Sequence, residues 1–210
     1  MFSGIIYQRG AVKSIDVAID TAGTLAVDIA KIAEKKIGDS IAVNGVCLTI
    51  AKLENEIATF NISPETADKT LIGKWQVGDL VNLEVAATLQ TLIGGHLVTG
   101  HIDGTCTLEK ITDEGECREI QFVVDELKSA DESKMLIAEK GSVALDGISL
   151  TVNSVVDQKN QTTFTVMAIP HTLANTNLGK LQPGAAVHLE VDLLARHVKR
   201  ILDAQKNSAK

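Results

Sequence analysis

Short apolar runs interleaved with polar positions dominate the chain. In residues 81–85, Val81, Leu83 and Val85 fall on one face while Asn82 and Glu84 fall on the other, the period of two of a half-buried strand. Runs of this kind cover residues 40–50, 57–62, 80–85, 121–124, 142–152, 162–167 and 186–191. Gly38-Asp39, Asn44-Gly45, Gly78-Asp79 and Asp146-Gly147 punctuate them. Asn-Gly and Asp-Gly have the chemistry of tight turns that need positive φ. Many short strands with turns at this spacing predict a mainly β fold, a barrel or sandwich in each half. Residues 67–72 and 173–178 each follow a Pro-x-Thr and read as short helical turns. Residues 26–35 and 125–139 are mixed and read as further helix candidates. Residues 192–206 are clearer: Leu194, Val198, Ile201 and Leu202 share one face, Arg196, Lys199 and Arg200 lie away from it, and Asp192 suits an N-cap.

The pattern is duplicated. KIGDSIAVNGVCLTI at 36–50 aligns with AEKGSVALDGISLTV at 138–152, so Gly45 meets Gly147 and Thr49 meets Thr151. Farther on, Pro64 meets Pro170, Thr66 meets Thr172, Gly73-Lys74 meets Gly179-Lys180, and Leu83-Glu84-Val85 meets Leu189-Glu190-Val191. The openings pair as well, Ser3-Gly4 with Thr99-Gly100. One repeat of half the chain means two similar domains rather than a solenoid. The expected division is 1–96, 97–191 and a terminal helix at 192–210. Residues that differ between paired positions then become candidates for chemistry. His101 falls on Ile5, Cys47 on Ser149, and Glu65 on His171. His101 and His96 are flanked by Gly94, Gly95 and Gly100; glycine allows close approach of backbone to a ligand, and histidine is the usual general base near neutral pH.

Composition narrows the field. The 210 residues carry a formal net charge of −7, which argues against a nucleic-acid partner needing a basic face. No apolar run approaches the roughly 20 residues that span a bilayer, so no membrane association is expected. Residues 1–10 lack the pattern of a secretory leader. The three cysteines show no C-x-x-C spacing, so neither a disulfide framework nor a metal site is expected, and a reducing cytoplasm fits best. With 3% aromatic residues, the cores must be aliphatic.

Five segments, in order and duplicated, resemble the riboflavin synthase family over essentially the whole chain: residues 1–6, Asn44-Gly45-Val46-Cys47-Leu48-Thr49, residues 94–102, Asp146-Gly147-Ile148-Ser149-Leu150-Thr151, and Ile169-Pro170-His171-Thr172-Leu173. Three small departures are Ser3 where Thr is usual, Val46 where a second Cys is often found, and His171 where Glu is often found. The resemblance implies two tandem six-stranded Greek-key β-barrels with a C-terminal helix. It implies a homotrimer whose active site joins the N-terminal barrel of one subunit to the C-terminal barrel of the next. Each barrel would bind one 6,7-dimethyl-8-ribityllumazine, and a four-carbon transfer between the two would give riboflavin and 5-amino-6-(D-ribitylamino)uracil. No cofactor or metal is implied, and association with a lumazine synthase is left open.

The chemistry assigns roles. His101 is the candidate base for the 7-methyl group of one ring. Ser40 and Cys47 are candidates for the attack at C7 of the other, directly or through water. Gly4, Ile5 and Ile6, with Cys47, Leu48 and Thr49 and with Gly100, His101 and Ile102, are expected to grip one ring. Ser149, Leu150 and Thr151, with Met167, Ala168, Ile169, Pro170, His171 and Thr172, are expected to grip the other. Asn61, Ile62, Ser63, Pro64, Glu65 and Thr66 match that last segment in the first half, and Lys140 is expected to reach a neighbouring subunit's ligand. Two rival readings are a non-catalytic lumazine or flavin antenna of the same fold, and a two-barrel structural protein.

Overall fold

The computed structural model describes residues 1–17, 22–32, 34–124, 136–158 and 161–208. The first half contains β1 (Gln8–Asp16), β2 (Gly23–Asp28), β3 (Ser40–Val43), β4 (Val46–Glu54), β5 (Ile57–Ile62) and β6 (Leu80–Val85). The second contains β7 (Gly104–Glu114), β8 (Cys117–Val124), β9 (Ser142–Leu145), β10 (Ile148–Asp157), β11 (Thr162–Ala168) and β12 (Ala186–Val191). Each set closes into an antiparallel barrel, β1-β2-β5-β4-β3-β6 and, in the same order, β7-β8-β11-β10-β9-β12. The second strand of each half skips its sequence neighbour to pair with the fifth, a Greek-key feature. Register shifts fall at equivalent places, Val12/Ser14 with Val152/Ser154's counterpart Ile50/Lys52 in the first barrel, and Leu108/Lys110 with Val152/Ser154 in the second. Such bulges bend a strand, which a small closed barrel needs.

The hydrophobic alternation explains the interiors. Leu48 and Ile50 of β4 turn inward with Phe60 and Leu83; Leu150 and Val152 of β10 do so with Phe164 and Leu189. The cores are therefore not purely aliphatic, contrary to expectation: Phe60, Phe122 and Phe164 are fully buried in them. The helical turns begin earlier than expected, as α1 (Pro64–Lys69) and α2 (Pro170–Asn175), and each is followed by a 3-10 turn. Proline at the first turn needs no N–H partner, and Ser63 caps α1 by accepting from the Thr66 N–H at 3.1 Å. The helix expected over 26–35 does not form: Ala26 to Asp28 belong to β2, and Ile29 and Ile32 are buried under the barrel. Of the candidate over 125–139, residues 125–135 lie outside the described residues and 136–139 form no α-helix.

The two barrels meet about a pseudo-two-fold axis. Gly45 and Gly147, at φ of +81° and +78°, face each other so closely that a Cβ on either would lie 2.7 or 2.8 Å from the other's backbone nitrogen. Beside them Phe2 and Val98, equivalent in the repeat, exchange backbone hydrogen bonds of 2.7 and 3.1 Å. With Ala42 and Ala144 they form a small buried cluster.

Helix α3 (Leu193–Ser208) follows β12. Asp192 accepts from the Leu194 N–H at 2.8 Å, the expected N-cap. Arg196 anchors the helix by donating to both oxygens of Asp103, at 2.9 and 2.8 Å. Its apolar face is uncovered in the single chain, with Leu194 71% and Ile201 59% exposed. Among the described residues no helix is long and apolar enough to cross a membrane.

The glycine contact sets a testable difference. Gly38 also has positive φ but nothing within 4 Å of its Cβ position, so Gly38→Ala should cost only the left-handed strain of roughly 1–2 kcal/mol. Gly147→Ala adds overpacking against a backbone and should cost roughly 1–3 kcal/mol more. Urea denaturation of both variants measures the gap.

Candidate functional site

Strand alternation turns two matched polar faces outward. In the β3–β4 hairpin Ser40 pairs with Thr49 and Ala42 with Cys47; in β9–β10 Ser142 pairs with Thr151 and Ala144 with Ser149. Leu48 and Leu150 point into the cores, so only their main chain can meet a ligand from the outer face. Ile62 and Ala168 are likewise buried.

A short arm crosses onto each face from the other half. The Cys47 N–H donates to the Gly100 carbonyl at 3.0 Å, and the Ser149 N–H to the Gly4 carbonyl at 2.8 Å. A Cβ on Gly100 would lie 2.5 Å from that of Cys47, and one on Gly4 2.5 Å from that of Ser149. Ile102 packs against the first core and Ile6 against the second. This corrects the expected grouping: Gly4, Ile5 and Ile6 lie with Ser149, not with Cys47. Gly100, His101 and Ile102 lie beside Cys47.

Buried carboxylates hold the arms. Glu84 of β6 accepts from the Ser3 N–H and Oγ–H, both at 2.7 Å, and from the Gly4 N–H at 3.0 Å. Glu190 of β12 accepts from the Thr99 N–H and Oγ1–H, both at 2.6 Å, and from the Gly100 N–H at 2.9 Å. Burial raises both carboxyls against the pull of these bonds.

On the outer face of the first barrel, Cys47, Glu65, Thr66, Gly100, His101 and Ile102 line one cavity of about 260 Å³, with Val46, Lys69 and Thr70. His101 is exposed at its rim. Ser40 opens on a different cavity of about 410 Å³, between Lys35, Asp39 and residues 85–88. Asn61, Pro64, Ile169, Pro170 and His171 are exposed, Met167 and Thr172 half-buried. Lys140 is exposed at φ +63°. Among the described residues no three His, Cys, Asp or Glu side chains converge as metal ligands.

The second face carries an imidazole that the repeat does not assign to it. His96 Nδ1 is hydrogen-bonded to Ser149 Oγ at 2.7 Å, and a Cβ on Gly95 would lie 2.6 Å from that of Ser149. Burial lowers the His96 pKa. Its partner was not legible because the junction has no counterpart in the first half. Ser142, the cross-strand neighbour of Thr151, aligns with Ser40 and holds the equivalent place in the second hairpin.

A buried polar seam supports both faces from behind. His188 of β12, fully buried, accepts from the Leu71 N–H at Nε2, 2.7 Å, while its Nδ1 faces the Asn44 carbonyl at 2.8 Å. An obligate donor on one nitrogen and an obligate acceptor on the other fix the neutral Nδ1–H tautomer. Its 3.6 Å approach to Asp146 is therefore not an ion pair. Asn82, equivalent to His188, accepts from the Asn177 N–H at 2.7 Å and donates to Asn177 Oδ1 at 2.8 Å and to the Asp146 carbonyl at 3.0 Å. Asn177 Nδ2 donates to Asp146 Oδ2 at 2.6 Å. Leu71 and Asn177 follow α1 and α2, so each site's wall is tied to the opposite barrel.

Comparison with known proteins agrees with this duplication. The family model described as lumazine binding domain matches residues 3–86 and again 99–192. The chain belongs to the lumazine binding domain family. Its relatives in this family include riboflavin synthase of Photobacterium phosphoreum, 36% identical over 98% of this chain and 91% of that one. Riboflavin synthase of Bacillus subtilis (strain 168) is 34% identical over 96% and 90%. Among solved structures, LumP complexed with riboflavin superposes with a TM-score of 0.77 at 25% identity, covering 91% of this chain and 99% of that one. LumP complexed with 6,7-dimethyl-8-(1'-D-ribityl) lumazine shares the fold at the same TM-score and 24% identity.

The seam has a pH signature. Burial lifts Asp146 to about 7 and lowers His188 to about 4. Between pH 4 and 6.5 the unfolded pair holds one proton, on histidine, and the folded pair also holds one, on aspartate, so their contributions to the slope cancel. His188→Asn leaves a raised acid alone, whose stability is present at low pH and lost as pH rises through about 7. Asp146→Asn leaves a depressed histidine alone, whose stability is present above 6.5 and lost as pH falls through about 4. Relative to wild type, the first variant should gain a negative slope and the second a positive one, each up to about 1.4 kcal/mol per pH unit. Urea melts at pH 4.5, 5.5 and 6.5 read both.

Proposed function

We propose that the protein is a riboflavin synthase: it transfers a four-carbon unit between two molecules of 6,7-dimethyl-8-ribityllumazine, giving riboflavin and 5-amino-6-(D-ribitylamino)uracil. The observation that carries this reading is the pair of matched arm-over-hairpin faces, with Cys47 and His101 on one cavity and His96 on Ser149 in the other half. Two copies of one substrate need two similar sites, and holding them in register removes an entropic barrier. The riboflavin synthase relatives, matched over nearly the full chain, support the same conclusion.

Chemically, the reaction needs a base for the 7-methyl group of the acceptor, whose anion delocalises into the ring, and His101 fills that role. The donor needs attack at C7, by Cys47 or by water; Ser40 opens on a separate cavity and serves less directly. The outer-face hydroxyls of Thr49 and Thr151 and the main chain of residues 48 and 150 suit a ribityl side chain and ring amides. Substrate is both electrophile and carbon acid, so the proposed steps use no cofactor or metal. We place the enzyme in the cytoplasm as a homotrimer with N-terminal barrel against C-terminal barrel between subunits. The uncovered face of α3 supports assembly, since burying Leu194, Val198 and Ile201 contributes roughly 1.5–3 kcal/mol each. The fold shared with the LumP complexes favours one second reading, a ligand-binding antenna; tight binding of the lumazine without turnover would select it.

Purified protein mixed with the lumazine should form riboflavin absorbance in the presence of a chelator. His101→Ala should slow this by roughly 10²–10⁴ with a smaller change in binding; a wild-type rate would remove His101 from the mechanism.

Subunit pairing has its own test. His101→Ala with Cys47→Ala disables one site and Ser149→Ala with Thr151→Ala the other. Each homotrimer should be weak, and activity should rise when the two are mixed and exchange. Removal of the residues after Asp192 should yield monomers with little turnover. A fully active monomer would put both substrates on one chain and end the intersubunit model.

A further inference from the structure

We propose that Glu190 is a positioning residue for His101, reaching across from the second barrel to set the imidazole over Cys47 of the first. The inference rests on the reading of His101 as the proton-transfer base. Glu190 is nearly fully buried and takes all three donors of the turn that precedes His101: the Thr99 N–H, the Thr99 hydroxyl and the Gly100 N–H. The same hydroxyl oxygen accepts from the His101 N–H at 3.2 Å. The peptide after Thr99 thus cannot rotate without breaking bonds to a buried charge, which are among the stronger hydrogen bonds. The arm's other end is pinned where the Gly100 carbonyl accepts from the Cys47 N–H. Between these two anchors His101 has one backbone direction.

Only a carboxylate meets the demand. Two of the three donors are backbone N–H groups on different carboxylate oxygens, Thr99 on Oε1 and Gly100 on Oε2, so an amide would aim its own N–H groups at one of them. Glu84 clamps Ser3 and Gly4 with the same three bonds, but the next residue there is Ile5. The chain therefore holds an internal control: two clamps of equal chemistry and burial, only one of which aims an imidazole.

The test compares full-length variants in a double-mutant cycle. Glu190→Gln should lower kcat by roughly 10- to 100-fold, the scale of a small misplacement of a reacting group, and leave KM within about twofold. Added to His101→Ala, it should cost nothing further, because the group it positions is gone. Glu84→Gln should instead multiply with His101→Ala. Where Glu190→Gln fails to fold, Thr99→Val decides: it removes only the hydroxyl bridge to His101 and should show the same non-additivity. A Glu190→Gln or Thr99→Val effect that multiplies with His101→Ala, or an unchanged kcat, overturns the assignment while leaving His101 as the base. A wild-type rate in His101→Ala alone overturns both.

Discussion

The approach of Gly45 to Gly147 is the constraint on which the rest of the molecule depends. Each glycine closes a hairpin at positive φ, and each leaves no room for a Cβ against the other's backbone. Backbone contact at that range brings the β3–β4 and β9–β10 hairpins together turn to turn. Residues 2–6 and 98–102 then fall within reach of the opposite hairpin, and Phe2 and Val98 pair across the axis. The result is an exchange: each outer face is made by one barrel and finished by an arm whose root is in the other. Neither site is complete within its own half.

That exchange is held by polar groups in a place where burial would normally favour apolar ones. Asn44, Asn82, Asp146, Asn177 and His188 are all buried at the contact, and the hydrogen bonds between them leave none of these side chains without a partner. An apolar seam of this size tolerates sliding; a satisfied polar network admits one arrangement, because any shift strands a buried donor or acceptor. The barrel cores supply stability through Phe60, Leu83, Phe164 and Leu189. The seam and the two glutamate clamps supply orientation, and they connect the walls of each site to the barrel opposite.

Much of this was legible in the sequence, for reasons that also mark the limit. The doubled Asn/Asp-Gly turns and the alternating strands around them made two β-barrels readable, since hairpin chemistry and a period of two are local signals. Strands β1, β2 and β7 were harder. Gly10 in β1 lies where a Cβ would meet the Asp28 carbonyl and Leu83, so neighbours fill the space that an apolar side chain would have announced. The helix candidate over 26–35 fails because Ala26 to Asp28 complete β2 and Ile29 and Ile32 are buried after the strand ends, a tertiary effect without local signature. Cys47 with His101 was readable as a divergent pair, whereas Gly4 with Ser149 was not: a repeat states which positions are equivalent and is silent on which half an arm lies against. His96 was visible as a residue but not as the partner of Ser149.

Duplication makes two equal sites, and the proposed reaction between two copies of one substrate needs unequal ones. Divergence reaches the seam, where Asn82 is the equivalent of His188, and the positions beside the two faces. The clamps stay alike, Glu84 and Glu190, and so do the outer hydroxyls Thr49 and Thr151. The arm tips differ, with Ile5 following Gly4 on one arm and His101 following Gly100 on the other. The imidazoles that result are unlike each other: His101 is exposed on a cavity, whereas His96 is half-buried, bonded to Ser149 and shifted toward the neutral form. Under the proposed function the first face takes a proton from a bound molecule, while the second presents a hydroxyl bonded to an imidazole that burial shifts toward its neutral form. In the proposed reaction, matched faces hold two like rings, and the unlike imidazoles beside them let one ring give up a proton while the other accepts a nucleophile.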